Sequence, residues 1–471
     1  MSQQILKKIH NYIANDLLKL IFIFLVLRFL TSLVYCFLPI NTPHLWRQID
    51  TLSVTLRYWL RWAIELEPGP ILMPAALNSG ESIGIMPMEF PILNIITAPF
   101  FYFGSYYGKV LAHLFFVCIH FLLTYFNAQI WRDKFILGYN AYIPMLLLPL
   151  VSFGAIFVSF VMPDYSSYLF ALIAIGLSWE KPKLFLTSML LTLALLLKPT
   201  SVIVLSLLIL HPQWFIVWRV YLLPCLLAIC VTLFYYTFVK NFIINYQDAN
   251  PRFDTNIYSI FDALKNTFAQ PFRILDLFDT HAFFPLGFIP LLILSLFISV
   301  KDKEYKIITV WLLVLLQFIF IVAVKGEKTL HHSYYLIGMS HYFSLLFFIC
   351  LKKQRFKPLL ILFIMLWCGR FFEFSYMNIK GIMGIKQEIR TTIYSECLAL
   401  KKEHPEVPWQ KGEVFYSSGP HSFPALGLCF GEREGMLARG FGFGFVEDNL
   451  PSKCLEIARL CKIFFFLCVL N

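Results

Sequence analysis

The sequence predicts an all-α protein that crosses a membrane about eleven times. Three observations support this prediction: the composition, the length of the apolar runs, and the distribution of basic residues between the runs. The chain has 471 residues, of which 59% are hydrophobic and only 14% are charged, whereas soluble proteins are about 45–50% apolar and about 25% charged. This composition excludes a soluble enzyme, a disordered chain and a small secreted domain held together by disulfides.

The apolar runs approach the roughly 20 residues that a helix needs to span a bilayer. The first, residues 18–39, is too long for the apolar part of a signal peptide and is interpreted as a retained span. The others lie at 107–126, 136–158, 165–179, 184–197, 200–210, 220–239, 284–300, 307–324, 336–350 and 358–377. Pro199 separates the fifth run from the sixth, because proline interrupts the helical hydrogen-bond ladder.

Lysine and arginine collect in every second loop, as expected for cytoplasmic loops of membrane proteins. With the N-terminus inside, these loops contain Lys7, Lys8, Arg132, Lys134, Lys181, Lys183, Arg219, Lys301, Lys303, Lys306, Lys352, Lys353, Arg355 and Lys357. The net charge of +11 therefore reflects topology, and no nucleic-acid partner is expected. The sequence predicts a cytoplasmic N-terminus and a periplasmic C-terminus.

The chain divides into a transmembrane domain, residues 1–377, and an extracytoplasmic C-terminal segment, residues 378–471. The transmembrane domain has a first outer loop at 40–106 and a second at 240–283. The C-terminal segment is polar and rich in glycine and proline, and we predict a small region of mixed structure. The apolar stretch near its end is too short to span a membrane.

The first outer loop contains a stretch in which aromatic residues alternate with arginines. Tyr58 and Trp59 lie between Arg57 and Arg61. This pattern is typical of an amphipathic helix in the membrane interface, with its aromatic rings at the level of the headgroups.

The 11 cysteines lie mostly within apolar runs, and no Cys-x-x-Cys pair occurs. A zinc finger or a dithiol redox site is therefore excluded. A disulfide between Cys397 and Cys429 is one pairing that an oxidising compartment allows, but spacing does not fix connectivity.

Five groups of polar residues lie on the predicted outer side, and the first two flank the first outer loop. Charged groups at membrane depth are costly, so each is a candidate site. Asp50 follows Arg47, which favours its ionised form; it is either a general base for an acceptor or a loop aspartate paired with Arg47. Glu89 ends the same loop and is either a second carboxylate of a shared cavity or a helix N-terminal acid before Pro91.

The third and fourth groups also allow two interpretations each. Asp164, after Pro163, either belongs to the site or caps the following helix. Lys198 follows an apolar run, so that it either extends its ammonium group to the interface or binds an anion such as phosphate.

The fifth group contains His331, His332, Tyr334 and Tyr335, with Lys325 and Lys328 just before it. Adjacent histidines point in different directions on a helix, which does not suit a zinc site. A contact to a lipid phosphate is favoured, and we predict no metal ligands. All five groups share one side, whereas the opposite side carries only the lysines and arginines that set topology. We therefore predict one site open to the outside, with anion-binding cations and one or two carboxylates.

Together these motifs resemble the bacterial membrane glycosyltransferases of the GT-C class, in the branch of protein O-mannosyltransferases and lipid A aminoarabinose transferases. The matching motifs are Trp46-Arg47-Gln48-x-Asp50-Thr51, Glu89-Phe90-Pro91, Pro163-Asp164, Lys198-Pro199, His332-x-Tyr334-Tyr335 and, in the tail, residues 426–434. They occur in order and at similar spacing over almost the whole chain.

Two departures limit what the resemblance implies. Thr51 stands where the protein mannosyltransferases have glutamate. In the aminoarabinose transferases the later glutamate is followed by Lys-Pro, whereas here Phe90 lies between Glu89 and Pro91. The sugar, the acceptor and the phosphate-binding lysine therefore do not carry over, and Lys198 is our candidate for the phosphate.

The resemblance implies a GT-C-like fold of roughly eleven to thirteen spans, with amphipathic helices of the first outer loop above the active site. It implies transfer of a sugar from a polyprenyl-phosphate donor to a glycolipid, glycan or protein, on the outer face of the bacterial inner membrane. The anomeric centre would be inverted, with no cofactor or with a loosely bound divalent metal. Asp50 would be the base or acceptor-orienting acid, and Glu89 the later loop acid.

Two other classes compete with a transferase. A transporter or lipid-linked sugar flippase should carry ionisable groups at mid-membrane and paired broken helices, whereas the motifs above cluster on one face. A polysaccharide polymerase or ligase should have its long outer loop late in the chain rather than after the first span. The sequence therefore favours the transferase.

Overall fold

The computed structural model describes residues 3–37, 47–48, 51–52, 54–55, 58–59, 89–103, 105–180, 183–245, 260–278, 288–326 and 328–352. Within these ranges the side chains at 3–17, 105–106, 240, 242–245, 260, 288–290 and 331 are not described. The predictions for Asp50, for the eleventh run and for the C-terminal segment with its disulfide fall outside the described residues.

The described residues are mostly helical. The first half contains α1 (Gln3–Phe37), α2 (Ile92–Thr97), a 3₁₀ helix (Ala98–Phe103), α3 (Ser105–Trp131), β1 (Phe135–Ile136), β2 (Tyr139–Asn140), α4 (Tyr142–Leu146), α5 (Phe153–Phe157), α6 (Pro163–Leu177) and α7 (Leu184–Leu197). The second half contains a 3₁₀ helix (Pro199–Leu210), α8 (Trp214–Asn245), α9 (Ile260–Phe268), α10 (Pro271–Asp276), α11 (Phe288–Lys301), α12 (Lys306–Lys325), α13 (Lys328–His331), a 3₁₀ helix (Ser333–Met339) and α14 (Ser340–Lys352). The two short strands pair antiparallel, with Phe135 opposite Asn140.

Five helical stretches are long and apolar enough to cross a membrane. They are Leu18–Phe37, Tyr107–Trp131, Trp214–Val239, Lys306–Lys325 and Ser333–Lys352. Four shorter apolar stretches accompany them, at Ile92–Phe103, Leu184–Leu197, Pro199–Leu210 and Leu291–Lys301. The predicted count of eleven spans stays a prediction.

The third predicted run, 136–158, is wrong as a continuous helix. It begins in the β1–β2 turn, where Leu137 and Gly138 have positive φ angles, and then breaks between α4 and α5. Pro149 lacks the N–H that a helix needs there. Gly154 lets the chain fold back, because a Cβ atom at this position would collide with the carbonyl of Leu148.

The described residues of the predicted first outer loop pack onto neighbouring helices. The described residues between 47 and 59 are helical. The Asn94 side chain of α2 donates to the Thr51 carbonyl at 2.7 Å and to Thr55 Oγ1 at 3.1 Å. Tyr58 is buried against Val54. This face of the loop segment therefore packs against other residues of the protein, and the position of its rings relative to the headgroups stays a prediction.

Candidate active site

Two cations and two carboxylates from four distant parts of the chain meet in one buried cluster. Arg47 Nη2 lies 2.9 Å from Glu89 Oε1, and Arg47 Nε donates to Asp164 Oδ2 at 3.1 Å. Lys198 Nζ lies 2.7 Å from Glu89 Oε1 and 2.8 Å from Asp164 Oδ1. Each cation thus contacts both acids. We call these four residues the charge cluster; its formal charge is zero.

Lys198 is placed by the proline that follows it. The residue before a proline is disfavoured in the α region, and Lys198 has extended backbone angles, φ −160° and ψ 110°, directly after α7. The helix therefore stops there and leaves carbonyls free at its end. The Leu196 carbonyl accepts from the Phe90 N–H at 3.1 Å, which holds Glu89 beside Lys198.

Asp164 lies in the first turn of α6, but it does not cap that helix. The N-cap position is Met162, and Pro163 occupies the first helical turn. The interpretation of Asp164 as an N-cap is therefore wrong, since its carboxylate faces Arg47 and Lys198. The hydroxyl of Ser167, one turn later, donates to the Ala194 carbonyl of α7 at 2.7 Å and joins the two helices.

The cluster is almost closed to solvent. The exposed side-chain fraction is 1% for Asp164, 9% for Arg47 and Lys198, and 16% for Glu89. Burial alone would raise the pKa of the Glu89 carboxyl, but Arg47 and Lys198 hold it well below its usual range. Burial would likewise lower the pKa values of both cations, but Asp164 and Glu89 raise them. Charge pairing therefore outweighs desolvation, and these groups stay ionised.

The rings of Tyr334 and Tyr335 lie beside the charge cluster, and we call them the aromatic wall. Lys198 Nζ lies 4.9 Å from the ring centroid of Tyr334 and 5.3 Å from that of Tyr335. Lys325 Nζ lies 5.1 Å from the Tyr335 centroid, so two ammonium groups contact the same ring. The His332 ring is 5.4 Å from that of Tyr334. Both tyrosines of the predicted fifth group therefore lie next to the charge cluster, and His332 lies beside them.

The structure brings together most of the predicted site residues that it describes. Arg47, Glu89, Asp164 and Lys198 form the cluster. Glu89 precedes the N-cap of α2, Pro91, and its carboxylate binds cations rather than the helix end. Lys198 is buried, so its ammonium group does not extend to the interface. The side chain of His331 and all of Asp50 lie outside the described residues.

Sequence reasoning missed two kinds of residue. Tyr235 and Tyr236 of α8 line the same region: Tyr235 contacts the Phe90 ring at 5.3 Å between centroids, and the Tyr236 hydroxyl donates to the Leu196 carbonyl at 3.4 Å. Their signal in the sequence is an adjacent tyrosine pair at one end of an apolar run.

A metal does not fit the donor set of the cluster, because each carboxylate is already paired with two side-chain cations.

The second kind is a set of ionisable residues inside α1 and α3. Arg28, Lys109, His113 and His120 are all buried within these apolar helices. The interpretation that charged groups gather only at the outer side is therefore wrong. Their position inside apolar runs was the available signal.

No family model matches the chain, and no protein of curated function matches it. Among solved structures, the crystal structure of ArnT from Cupriavidus metallidurans in the apo state is similar, with a TM-score of 0.48 and 12% identity. The similarity covers 95% of this chain and 78% of that chain. The crystal structure of the same protein bound to undecaprenyl phosphate gives a TM-score of 0.46 and 10% identity, over 96% and 78% of the two chains.

Proposed function

We propose that this protein is a membrane glycosyltransferase that moves a sugar from a polyprenyl-phosphate donor to a glycolipid, glycan or protein acceptor, on the outer face of the bacterial inner membrane. The observation that carries the proposal is the charge cluster itself. Four residues far apart in the sequence bury two cations and two carboxylates together, at the ends of apolar helices. Sugar transfer from a phosphate needs both kinds of group: cations for the departing phosphate and a carboxylate for the acceptor proton.

The neutral cluster suggests how the donor engages it. An anionic phosphate gains little from a cation whose charge is already balanced, so binding requires an exchange of partners. Lys198 contacts both Glu89 and Asp164, and it exchanges one of them for a phosphate oxygen. The released carboxylate is then available to orient the acceptor hydroxyl or amine.

Lys325 supports an entry for the phosphate on the side of the aromatic wall. Among the described residues, no carboxylate lies within ion-pairing distance of its ammonium group. Lys198 and Lys325 contact the same Tyr335 ring. A phosphate between the two lysines would first contact Lys325, which no described carboxylate neutralises. It would contact Lys198 once that residue has released one of its carboxylates. The apolar tail would lie against the exposed apolar surfaces of the helices.

Asp50 remains our proposed general base, with Glu89 orienting the acceptor or holding Lys198. Asp50 lies only three residues after Arg47 in the sequence, and Arg47 belongs to the charge cluster. Loss of a general base typically costs 10²- to 10⁴-fold in rate. We therefore expect Asp50→Asn to lower kcat by roughly that range while donor binding survives, because a carboxylate contributes no attraction to a phosphate.

The test uses purified protein in lipid vesicles, given radiolabelled polyprenyl-phosphate sugars and candidate acceptors. Transfer of label to an acceptor supports the transferase, whereas movement of unchanged donor across the bilayer supports a flippase. Glu89→Gln, assayed in parallel, should reduce kcat less than Asp50→Asn. A fully active Asp50→Asn beside an inactive Glu89→Gln would exchange the two roles. Full activity in both variants would contradict a carboxylate-dependent transfer.

A further inference from the structure

The chain that leads into Asp164 is buried but is not a regular helix. Every residue from position 144 to position 169 is buried, although the helix is interrupted between α4 and α5 and again between α5 and α6. Ser152, in the first interruption, has a φ angle of 65°. We call residues 152–162 the broken segment. Backbone groups at membrane depth must find partners within the protein, and an interruption removes carbonyls from the helical ladder.

Three carbonyls of the broken segment accept hydrogen bonds from side chains of α1 and α3. The pairs are Arg28 to Ala155, His120 Nδ1 to Val158 at 3.0 Å and His113 Nε2 to Ser159 at 2.6 Å. Because a carbonyl oxygen can only accept, these two ring nitrogens carry the N–H. We call Arg28, His113 and His120 the carbonyl-binding residues.

Two backbone N–H groups of the broken segment also bind distant side chains. The Gly154 N–H donates to Ser340 Oγ of α14 at 3.1 Å. The Val161 N–H donates to Gln48 Oε1 at 3.4 Å. The segment is thus held from α1, α3, α14 and the first outer loop.

The broken segment is directly continuous with the charge cluster. Only Pro163 separates it from Asp164, and Gln48, which binds Val161, is the neighbour of Arg47. The Tyr165 ring, next to Asp164, meets the His120 ring edge-on with centroids 5.0 Å apart. Any shift of the segment would therefore move the Asp164 carboxylate relative to its two cations.

We infer that the carbonyl-binding residues are positioning residues: by binding the carbonyls of the broken segment, they fix the Asp164 carboxylate between Arg47 and Lys198. This inference rests on the proposed function only in the test that measures sugar transfer. A displacement of about 1 Å at a reaction centre can cost about 10²-fold in rate. The inference gives a role to one arginine and two histidines of α1 and α3 whose hydrogen bonds go to carbonyls of the broken segment.

The first test compares donor-removing and donor-keeping variants in the sugar-transfer assay. Arg28→Met and His113→Phe remove the donor at similar volume, whereas Arg28→Lys and His113→Gln keep one. We expect kcat to fall about 10- to 100-fold in the first pair, with donor KM within about twofold of wild type, and to recover largely in the second pair. Unchanged kcat in the first pair would overturn the inference, as would a parallel rise in KM that the conservative variants do not rescue.

The matched control is Asn127→Leu. The Asn127 side chain also reaches from α3 to a carbonyl, that of Leu169 at 3.1 Å, but this carbonyl belongs to the continuous helix α6. Its loss should leave kcat near the wild-type value. An equal fall in kcat for Asn127→Leu would mean that any lost polar contact of α3 has the same effect, and it would contradict a specific role for the broken segment.

The second test needs no substrate and separates this inference from the proposed function. The melting temperature of the detergent-solubilised full chain is measured for Arg28→Met, Asp164→Asn and the double variant. Coupled residues give non-additive losses, so we expect the double variant to lose less than the two single losses combined. Additive losses would overturn the inference, even if the wild type transfers sugar. If Arg28→Met does not fold, His113→Phe replaces it in the same cycle.

Discussion

Two buried arginines of this protein meet opposite kinds of partner. Arg47 contacts the carboxylates of Glu89 and Asp164, whereas Arg28 donates to a backbone carbonyl. Two buried lysines repeat the contrast: Lys198 lies between the same two carboxylates, and Lys109 donates to the Cys36 carbonyl at 3.0 Å. Burial of a cation therefore does not by itself distinguish the charge cluster from the rest of this molecule; the chemistry of the cation's partner does.

The difference has a physical basis. A carboxylate is a mobile side chain whose place beside a cation can be taken by another anion, such as a phosphate. A backbone carbonyl is fixed in the main chain, and it loses this hydrogen bond if the side chain leaves. We therefore expect the charge cluster to exchange partners when it binds a phosphate, while the carbonyl-binding residues keep theirs as long as the protein is folded.

Among the variants that test this difference between the charge cluster and the carbonyl-binding residues, Asp164→Asn should have the largest effect. This change leaves two buried cations with one carboxylate, and removing one partner of a buried ion pair costs about 3–5 kcal/mol. We expect a large fall in melting temperature and loss of transfer activity. Asp164→Asn combined with Lys198→Met restores charge balance, so this double variant should be more stable than Asp164→Asn alone. A double variant that melts at or below the temperature of Asp164→Asn would contradict the charge-balance explanation.

The next largest effect separates the two buried lysines. Loss of a charged hydrogen bond costs about 1.5–3 kcal/mol, so Lys198→Ala should raise donor KM by roughly tenfold to hundredfold, with Lys198→Arg partly tolerated. Lys109→Met removes an equally buried ammonium group from α3 and should leave donor KM unchanged. Normal donor affinity in Lys198→Ala, measured by initial rates over a range of donor concentrations, would remove Lys198 from the phosphate site.

A smaller effect concerns pH. The pKa of Glu89 is depressed, so its stabilisation is present above the ordinary carboxyl range near 4.5 and is lost as pH falls below it. The pKa of Lys198 is raised, so its contribution is present below 10.5 and is lost only at higher pH. The melting-temperature difference between wild type and Glu89→Gln should therefore stay constant between about pH 5 and pH 8. A decline of this difference within that window would show that the pair titrates there.

The smallest effect is expected at an exposed ion pair. Asp133 lies 3.4 Å from Arg132, with side chains 77% and 59% exposed, and exposed pairs contribute little to stability. Asp133→Asn makes the same chemical change as Asp164→Asn. We expect no measurable change in melting temperature or activity. A loss similar to that of Asp164→Asn would mean that burial is not the cause of the large effect.

The sequence by itself identified the chemical groups of the site. Arg47, Glu89, Asp164 and Lys198 stood out because charged residues next to apolar runs are rare and costly, and Pro199 marked the end of α7. Local rules were enough for these conclusions, since each depends on a few neighbouring residues. The same rules placed α1, α3 and α12 close to their observed positions.

Only the tertiary structure decided which groups meet. Lys198 pairs with Glu89, 109 residues away, and Arg47 with Asp164, 117 residues away, and no local periodicity encodes such partners. The same reason explains the run at 136–158, whose hydropathy is that of a span. A buried backbone that leaves the helical ladder needs new partners for its polar groups, and Arg28, His113 and His120 supply three of them from helices that the sequence alone could not bring beside it.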